Sequence, residues 1–400
     1  MAASVRFLMF LVGVYYFLQG IGGNPGLHNQ VLKKTVKEVF GLGPVEAAAF
    51  FFALTIPWMI KPVYGIISDF FPIFRLRRKS YFVLMGLIAA GALASVFWSP
   101  ISLDSHNLVF ACFFLAAIGF AFSDVLCDAV MVEKGQPLGI TDRLQSAQWA
   151  ALGTAGIIVA FTKGYIAEYL TLGQAAMLSA IFPILMIFFT LFFLKEERIQ
   201  SSGVVAKQAW QGMKEAVRSK PLWAAALFLF LFQCNPNMGT VFYYYEKDTL
   251  NFSDVLIGHI DTVGSVGFVV GTLLFGVFSK KISYDSLLRW IIVTGVIANL
   301  LYLFFNDATS AFAVTSISSV ISVVSFLGIL TVAARVCPKN AEGTIFAVLM
   351  SVMNFGQELG SVIGAKCYEY IGYSWLVVIA AVFTAAMWLL LPLAKVKAQT

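Results

Sequence analysis

The chain has 400 residues, of which 60% are hydrophobic and only 12% charged, with a net charge of +6. So few charges cannot cover the surface of a soluble protein of this size, whereas apolar runs of about 20 residues recur along it, the length a helix needs to cross a bilayer. The composition excludes a soluble fold and makes the few charges at membrane depth the functional evidence.

The apolar runs are continuous and do not alternate every second residue, which selects helices over a β-barrel. The expected fold is an all-α membrane protein with twelve transmembrane helices. These are placed at about 4–22, 46–67, 81–99, 108–132, 144–166, 173–194, 221–245, 255–279, 286–305, 309–334, 341–365 and 373–394. The first has Arg6 ahead of an apolar core, as a secretory signal would. It runs on too long and ends without a small-residue cleavage site, so it reads as a membrane helix. After it, Lys33, Lys34 and Lys37 interleave with Val31, Val36 and Phe40 at helical spacing, which predicts a short interfacial helix with lysines snorkelling to the headgroups.

The basic residues set the topology. Arg75, Arg77, Arg78 and Lys79 follow span two, and Lys195, Arg198, Lys207, Lys214, Arg218 and Lys220 follow span six. With an even number of spans, 20 Lys and Arg fall on the side of the termini, six fall opposite, and Lys61 lies within a span. Both termini are therefore expected in the cytoplasm of a multi-pass cell (inner) membrane protein. A transit extension is not evident, which favours a bacterial-type inner membrane over an organelle. The positive charge records topology and gives no reason to expect nucleic acid. Five cysteines and three histidines form no metal-ligand spacing, so neither a metal nor a cofactor is expected.

The longest internal polar stretch divides the chain into an N-terminal six-helix bundle (1–194), a cytoplasmic linker (195–220) and a C-terminal six-helix bundle (221–400). Asn24-Pro25 recurs as Asn235-Pro236, and Gly65-Ile66-Ile67-Ser68 as Gly276-Val277-Phe278-Ser279, both 211 positions later. Two matches at one offset indicate a duplication, the plan of a secondary transporter with its substrate site near the bilayer midplane. Both Asn-Pro pairs are expected to break a helix backbone or cap its outer end.

Lys61 lies eight residues before Asp69, about 12 Å into the membrane at helical rise. Asp124, nine residues before Glu133, lies at nearly the same depth, and Asp128 shares its helix face. Lys61 with Asp124 and Asp128 reads either as a substrate and proton site or as an ion pair joining two helices. A second set nearer the outer side comprises Asp261 and Glu358, with Gln19, Gln233, Asn235, Asn237, Asn354 and Gln357 adding neutral polar groups. The candidate substrate contacts are Lys61, Asp124, Asp128, Gln19, Asn235, Asn237, Asn354 and Glu358. The candidate proton carriers are Asp128, Asp124 and Asp261. Any single amide among them also reads as interhelical glue. Gly356, Gly360 and Gly364, like Gly267 and Gly271, repeat every fourth residue as helix-packing positions.

Gly65-x-x-x-Asp69 followed by Arg77-Arg78-Lys79 resembles the cytoplasmic loop signature of the major facilitator superfamily. Gly65 allows close helix approach, while Asp69 can pair with Arg77 or Arg78, so this loop is a candidate gate rather than a substrate contact. In the second half the equivalent of Asp69 is Lys280.

Longer segments narrow the resemblance. Pro57-Trp58-Met59-Ile60-Lys61-Pro62-Val63-Tyr64-Gly65-Ile66-Ile67-Ser68-Asp69, with Phe71-Pro72-Ile73-Phe74 and Arg77-Arg78-Lys79-Ser80-Tyr81, resembles the folate–biopterin transporter family. Ser123-Asp124-Val125-Leu126-Cys127-Asp128-Ala129 with Val132-Glu133, Leu144-Gln145-Ser146 with Trp149, and Asn235-Pro236 through Gly239 with Phe242-Tyr243-Tyr244-Tyr245 are similar to it as well. So are Glu342-Gly343-Thr344, Met350-Ser351 and Asn354. The resemblance implies a major facilitator fold of two six-helix bundles and alternating-access import of folate, biopterin or related pteridines, driven by protons. Arg75 stands where that family has a small residue, and Glu358 where a small or neutral one is expected. The competing reading is a carrier or exporter of another planar solute, nucleoside-like or drug-like. An enzyme is not expected, because no nucleophile–base cluster is evident. A monomer in the lipid bilayer, with a small-molecule substrate, is the expected state.

Overall fold

The computed structural model describes residues 2–23, 26–196, 219–278, 282–337 and 342–394. Every regular element among them is a helix, and one isolated bridge joins Ile73 and Leu76. The first helices are Ala2–Gly22 (α1), Asn29–Glu38 (α2), Pro44–Met59 (α3), Lys61–Phe70 (α4), Lys79–Trp98 (α5), His106–Gly135 (α6), Thr141–Tyr169 (α7) and Leu172–Phe193 (α8). Then come Lys220–Gln233 (α9), Asp254–Phe278 (α10), Tyr284–Leu301 (α11), Ala308–Val336 (α12) and Glu342–Ala386 (α13). Among the described residues, ten helical stretches are long and apolar enough to cross a membrane, which makes the protein multi-pass.

One break falls inside an expected span and another between two expected spans, each for a local reason. Pro62 has no N–H to bond the carbonyl of Trp58 four residues back, and its ring clashes with that carbonyl. The helix accordingly stops at Met59, Ile60 leaves helical geometry (φ −101°, ψ 20°), and α4 restarts at Lys61 with Pro62 in its first turn. In α13, 45 residues would rise about 67 Å at helical pitch, over twice the hydrocarbon thickness. Gly372 divides this run by adopting φ 76°, which costs a residue without Cβ little.

Contacts divide the chain into two compact units. One comprises Met1–Gly41 and Ile60–Ala206, and the other Leu42–Met59 and Lys207–Thr400. In the first unit α5 packs on α6 and α8, and α1 on α7 and α8. Tyr15 stacks on Phe82 with ring centroids 4.7 Å apart, and its hydroxyl meets Thr190 Oγ1 at 2.6 Å. In the second unit α12 packs on α10 and α11, while α3 and α9 pack on α13. Its main core gathers Phe228, Leu229, Leu288, Ile291, Val332 and Leu349.

The small-residue repeats do serve close approach. A Cβ on Gly267 or Gly271 would collide with Ser319 and Val320 of α12. One on Gly356, Gly360 or Gly364 would meet backbone of Phe230, Asn235 or Asn237 within 3 Å. The basic helix α2 departs from expectation. Val31, Val36 and Phe40 are buried, α2 lies against α7 and α8, and Lys34 Nζ donates to the carbonyl of Ala167 at 3.0 Å. Its apolar stripe is therefore covered by protein instead of lipid. Asn24-Pro25, Lys280 and most of the 195–220 linker lie outside the described residues.

Candidate functional site

The polar interior of the first unit is built from two antiparallel helices, each contributing two residues one turn apart. On α1, Tyr16 and Gln19 are three positions apart; on α6, Asp124 and Asp128 are four apart, so each pair shares a face. Gln19 Nε2 donates to Asp124 Oδ1 at 2.8 Å, and the Tyr16 hydroxyl donates to Asp128 Oδ1. Lys61, placed at the start of α4 by the break at Ile60, donates from Nζ to Asp124 Oδ2 at 2.6 Å. Gln148 of α7 hydrogen-bonds Asp128. Four helices thus converge on two carboxylates and one ammonium.

Asp124 is 6% exposed, its two oxygens taken by an amide and a cation, while Asp128 is half-buried and held by neutral donors. Apolar surroundings strengthen these interactions and penalise a charge left without its partners. Beside them Phe122 stacks between Tyr64 and Tyr81, with centroid separations of 4.8 and 5.2 Å.

At the basic end of the same unit lies a second cluster. Arg78, 5% exposed at its side chain, donates to Ser68 Oγ at 2.5 Å, Asp69 Oδ1 at 2.6 Å and Glu133 Oε1 at 2.7 Å. Arg77 lies farther from the same carboxylates, 3.5 Å from Glu133 and 4.0 Å from Asp69. Glu196, just beyond α8, accepts from the backbone N–H groups of Arg77, Arg78 and Lys79 at 2.7–3.2 Å. These are the orphan donors at the start of α5, where a carboxylate is favoured by both hydrogen bonding and the helix dipole. Contrary to expectation, no close helix approach requires Gly65: a Cβ there would make an ordinary contact, 3.8 Å from Val125 Cγ1.

The candidates of the second unit are more dispersed. The chain leaves helical geometry after Gln233, as Asn235-Pro236 implied, and resumes at Val241. The freed backbone is satisfied within the protein: Asn237 N donates to Gly360 O at 3.2 Å, and Asn237 Nδ2 donates to the carbonyls of Asn235 and Gln357 at 3.2 and 3.1 Å. Asn235 Nδ2 and Asn299 Nδ2 both donate to Thr384 Oγ1 at 3.1 Å, and that hydroxyl donates onward to Ala380 O at 2.9 Å. The Nδ2 groups of Asn235 and Asn237 thus tie the break to α13, while Asn235 Oδ1 is buried with no hydrogen-bond partner among the described residues. Asn354 and Glu358 stand one turn apart on α13, and Asp261 is half-buried on α10. Nearby in sequence but distinct from these, Asp254 is buried and accepts from Tyr243 Oη at 3.0 Å and Lys247 Nζ at 3.2 Å.

Gln148 and Glu196 hold the two clusters together without having been singled out from sequence, while Tyr16, Ser68 and Glu133 were named there but not assigned these partners. Tyr16 was visible as an aromatic at the depth of Gln19, and Glu133 closes the motif containing Asp124. Glu196 carries no side-chain signature, because its partners are backbone N–H groups.

The profile of the BT1 family matches residues 19–396. Over 376 residues the chain is 29% identical to a folate-biopterin transporter from Synechocystis sp., covering 89% of this chain and 74% of that one. It is 25% identical over 342 residues to folate transporter 1 of Plasmodium falciparum, covering 82% and 66% respectively. Among solved structures, a D-xylose-proton symporter superposes with a TM-score of 0.73 at 13% identity, covering 98% of this chain and 99% of the other. A mutant form of the nucleoside transporter NupG gives 0.75 at 13% identity, covering 96% and 99%. At such identities these two likenesses establish a shared major facilitator-type fold.

Proposed function

Because the chain belongs to the BT1 family, we propose that it imports folate, biopterin or a related pteridine by alternating access, coupled to protons. The family and its named relatives make it a membrane transporter and not an enzyme. The observation that carries the finer reading is the cluster of Lys61, Asp124 and Asp128, sealed among apolar helices with one carboxylate more than its lysine balances. Buried groups of this kind are expensive, and in transporters they mark substrate and proton paths.

The chemistry follows from the partners. A pterin's amino-pyrimidinone edge presents paired N–H donors that match a carboxylate. The anionic tail of a folate competes with Asp124 for Lys61. Each lysine–aspartate bond lost inside the protein leaves a carboxylate that is cheaper to protonate than to expose, and two neighbouring carboxylates share protons as a pair. Uptake of the anion and uptake of a proton are thereby linked through Lys61. Asp69, Arg77, Arg78 and Gly65 act as the gate, with the Arg78 cluster assembled in one state and opened in another. Asn235, Asn237, Asn354, Glu358 and Asp261 supply the polar groups of the second half.

The same reading takes the broken α13 and the short α9 as separate crossings, giving twelve in two groups of six (1–194 and 221–400), with both termini in the cytoplasm of an inner membrane and a monomer as the working unit. Purified protein in liposomes, given labelled folic acid or biopterin with and without an acid-outside gradient, tests it. Saturable uptake raised by the gradient is expected; uptake of neither compound overturns the substrate assignment, and uptake indifferent to the gradient overturns proton coupling.

A further inference from the structure

A cleft apart from the Lys61 cluster, and sharing only Glu133 with the Arg78 cluster, opens at the basic end of the first unit. It encloses about 390 Å³ and is walled by Phe7, Leu8 and Leu11 of α1, Phe193 and Leu194 at the end of α8, and Pro137 and Leu138 just past α6. Leu8, Leu11 and Leu194 form a buried floor, while Phe7 and Phe193, with ring centroids 6.5 Å apart, are exposed at the rim. The size is that of a small-ligand pocket.

Its polar edge is unequal in charge. Glu133 lines it, but that carboxylate is neutralised by Arg78 at 2.7 Å and Arg77 at 3.5 Å. Lys134 and Lys195 line it too, and Lys134 Nζ donates to the carbonyl of Lys195 at 3.2 Å. That bond fixes an ammonium at the edge while using one of its three donors. An apolar slot open through exposed aromatics and ending in two lysines is complementary to an amphiphile with a hydrocarbon arm and an anionic head. Basic pockets between membrane helices commonly take acidic lipid headgroups.

We propose that this cleft binds an anionic phospholipid of the adjoining leaflet, one acyl chain lying between α1 and α8 and the headgroup against Lys134 and Lys195. Glu133 is both a wall of the cleft and an acceptor of Arg78, so an occupied cleft shares a residue with the Arg78 cluster. The lipid site does not depend on which solute the protein carries.

Native mass spectrometry of the full-length protein in mild detergent, titrated with phosphatidylglycerol or phosphatidylethanolamine of identical chains, tests the site. One phosphatidylglycerol should be retained in preference to phosphatidylethanolamine. The surface double variant Lys134→Gln/Lys195→Gln should weaken its retention about tenfold and abolish the preference. Leu11→Trp, which fills the floor, should weaken retention of both lipids. Equal retention of the two lipids by the unaltered protein, or unchanged retention in the double lysine variant, overturns the proposal. Loss in the lysine variant with no loss in a folded Leu11→Trp protein overturns the acyl-chain placement.

Discussion

Lys61 and Asp124, 63 positions apart in sequence, meet at 2.6 Å on α4 and α6, and the second oxygen of Asp124 accepts from Gln19. Lys61→Ala leaves that buried carboxylate without its cation, a change that typically costs about 3–5 kcal/mol. Uptake should fall to background while the protein still inserts. Adding Asp124→Asn should restore most of the thermal stability and none of the transport. Thermal melting and uptake in the same liposomes check both, and normal transport by Lys61→Ala removes Lys61 from the mechanism.

Asp128 stands apart from Lys61 in its partners, which are the Tyr16 hydroxyl and Gln148. Asp128→Asn preserves shape and hydrogen bonding but cannot carry a proton. Gradient-driven accumulation should drop at least tenfold while exchange of internal for external substrate persists. Equal loss of both activities would assign Asp128 to binding or structure.

Arg78 spans three acceptors with its planar guanidinium, whereas Arg77 reaches the same carboxylates at longer range. A lysine cannot reproduce such a fork. Arg78→Lys should therefore reduce transport tenfold or more, and Arg77→Lys less than threefold. Initial uptake rates of the two variants, normalised to the amount of protein in the membrane, make the comparison.

Arg75 has φ 64°, in the left-handed region, where a side chain costs about 1 kcal/mol and glycine is at ease. Arg75→Gly should stabilise the protein by about 0.5 kcal/mol or more and leave uptake unchanged. A lower melting temperature in the variant would mean that the arginine side chain compensates for its backbone.

His28, between α1 and α2, packs on Phe113 and faces Ser179 Oγ at 3.0 Å. Burial lowers its pKa from the ordinary 6.5 to about 4. The folded state then binds fewer protons than the unfolded one between these values, so stability falls as pH drops from 6.5 toward 4. The loss reaches about 3 kcal/mol. A pH series of melting curves should show this slope, and His28→Asn should flatten it.

Depth along a helix was enough to pair Lys61 with Asp124 from sequence, because both positions can be counted from charged residues at one membrane face. Tyr16 reads from sequence as one of several rings a flat solute could stack on, and an aromatic-rich chain gives no reason to prefer it as the donor to Asp128. Lys34 and its neighbours were assigned to lipid, since an amphipathic stripe looks the same whether lipid or protein covers it. Pro62 announced the interruption at Ile60, yet hydropathy alone smooths over a single non-helical residue. Asn237 was read as a cavity amide or as glue, a choice that turned on the backbone of Gly360 and Gln357 rather than on its own letter.

The interruption at Ile60 also bears on how the polypeptide can be cut. Because α3 packs on α13 and clusters with residues that come much later in the chain, a fragment ending at the central linker would carry an orphaned segment from the other lobe. A split that keeps each unit whole would sever the chain near Gly41 and again near Met59 as well as in the linker, so the polypeptide passes between the lobes three times rather than once.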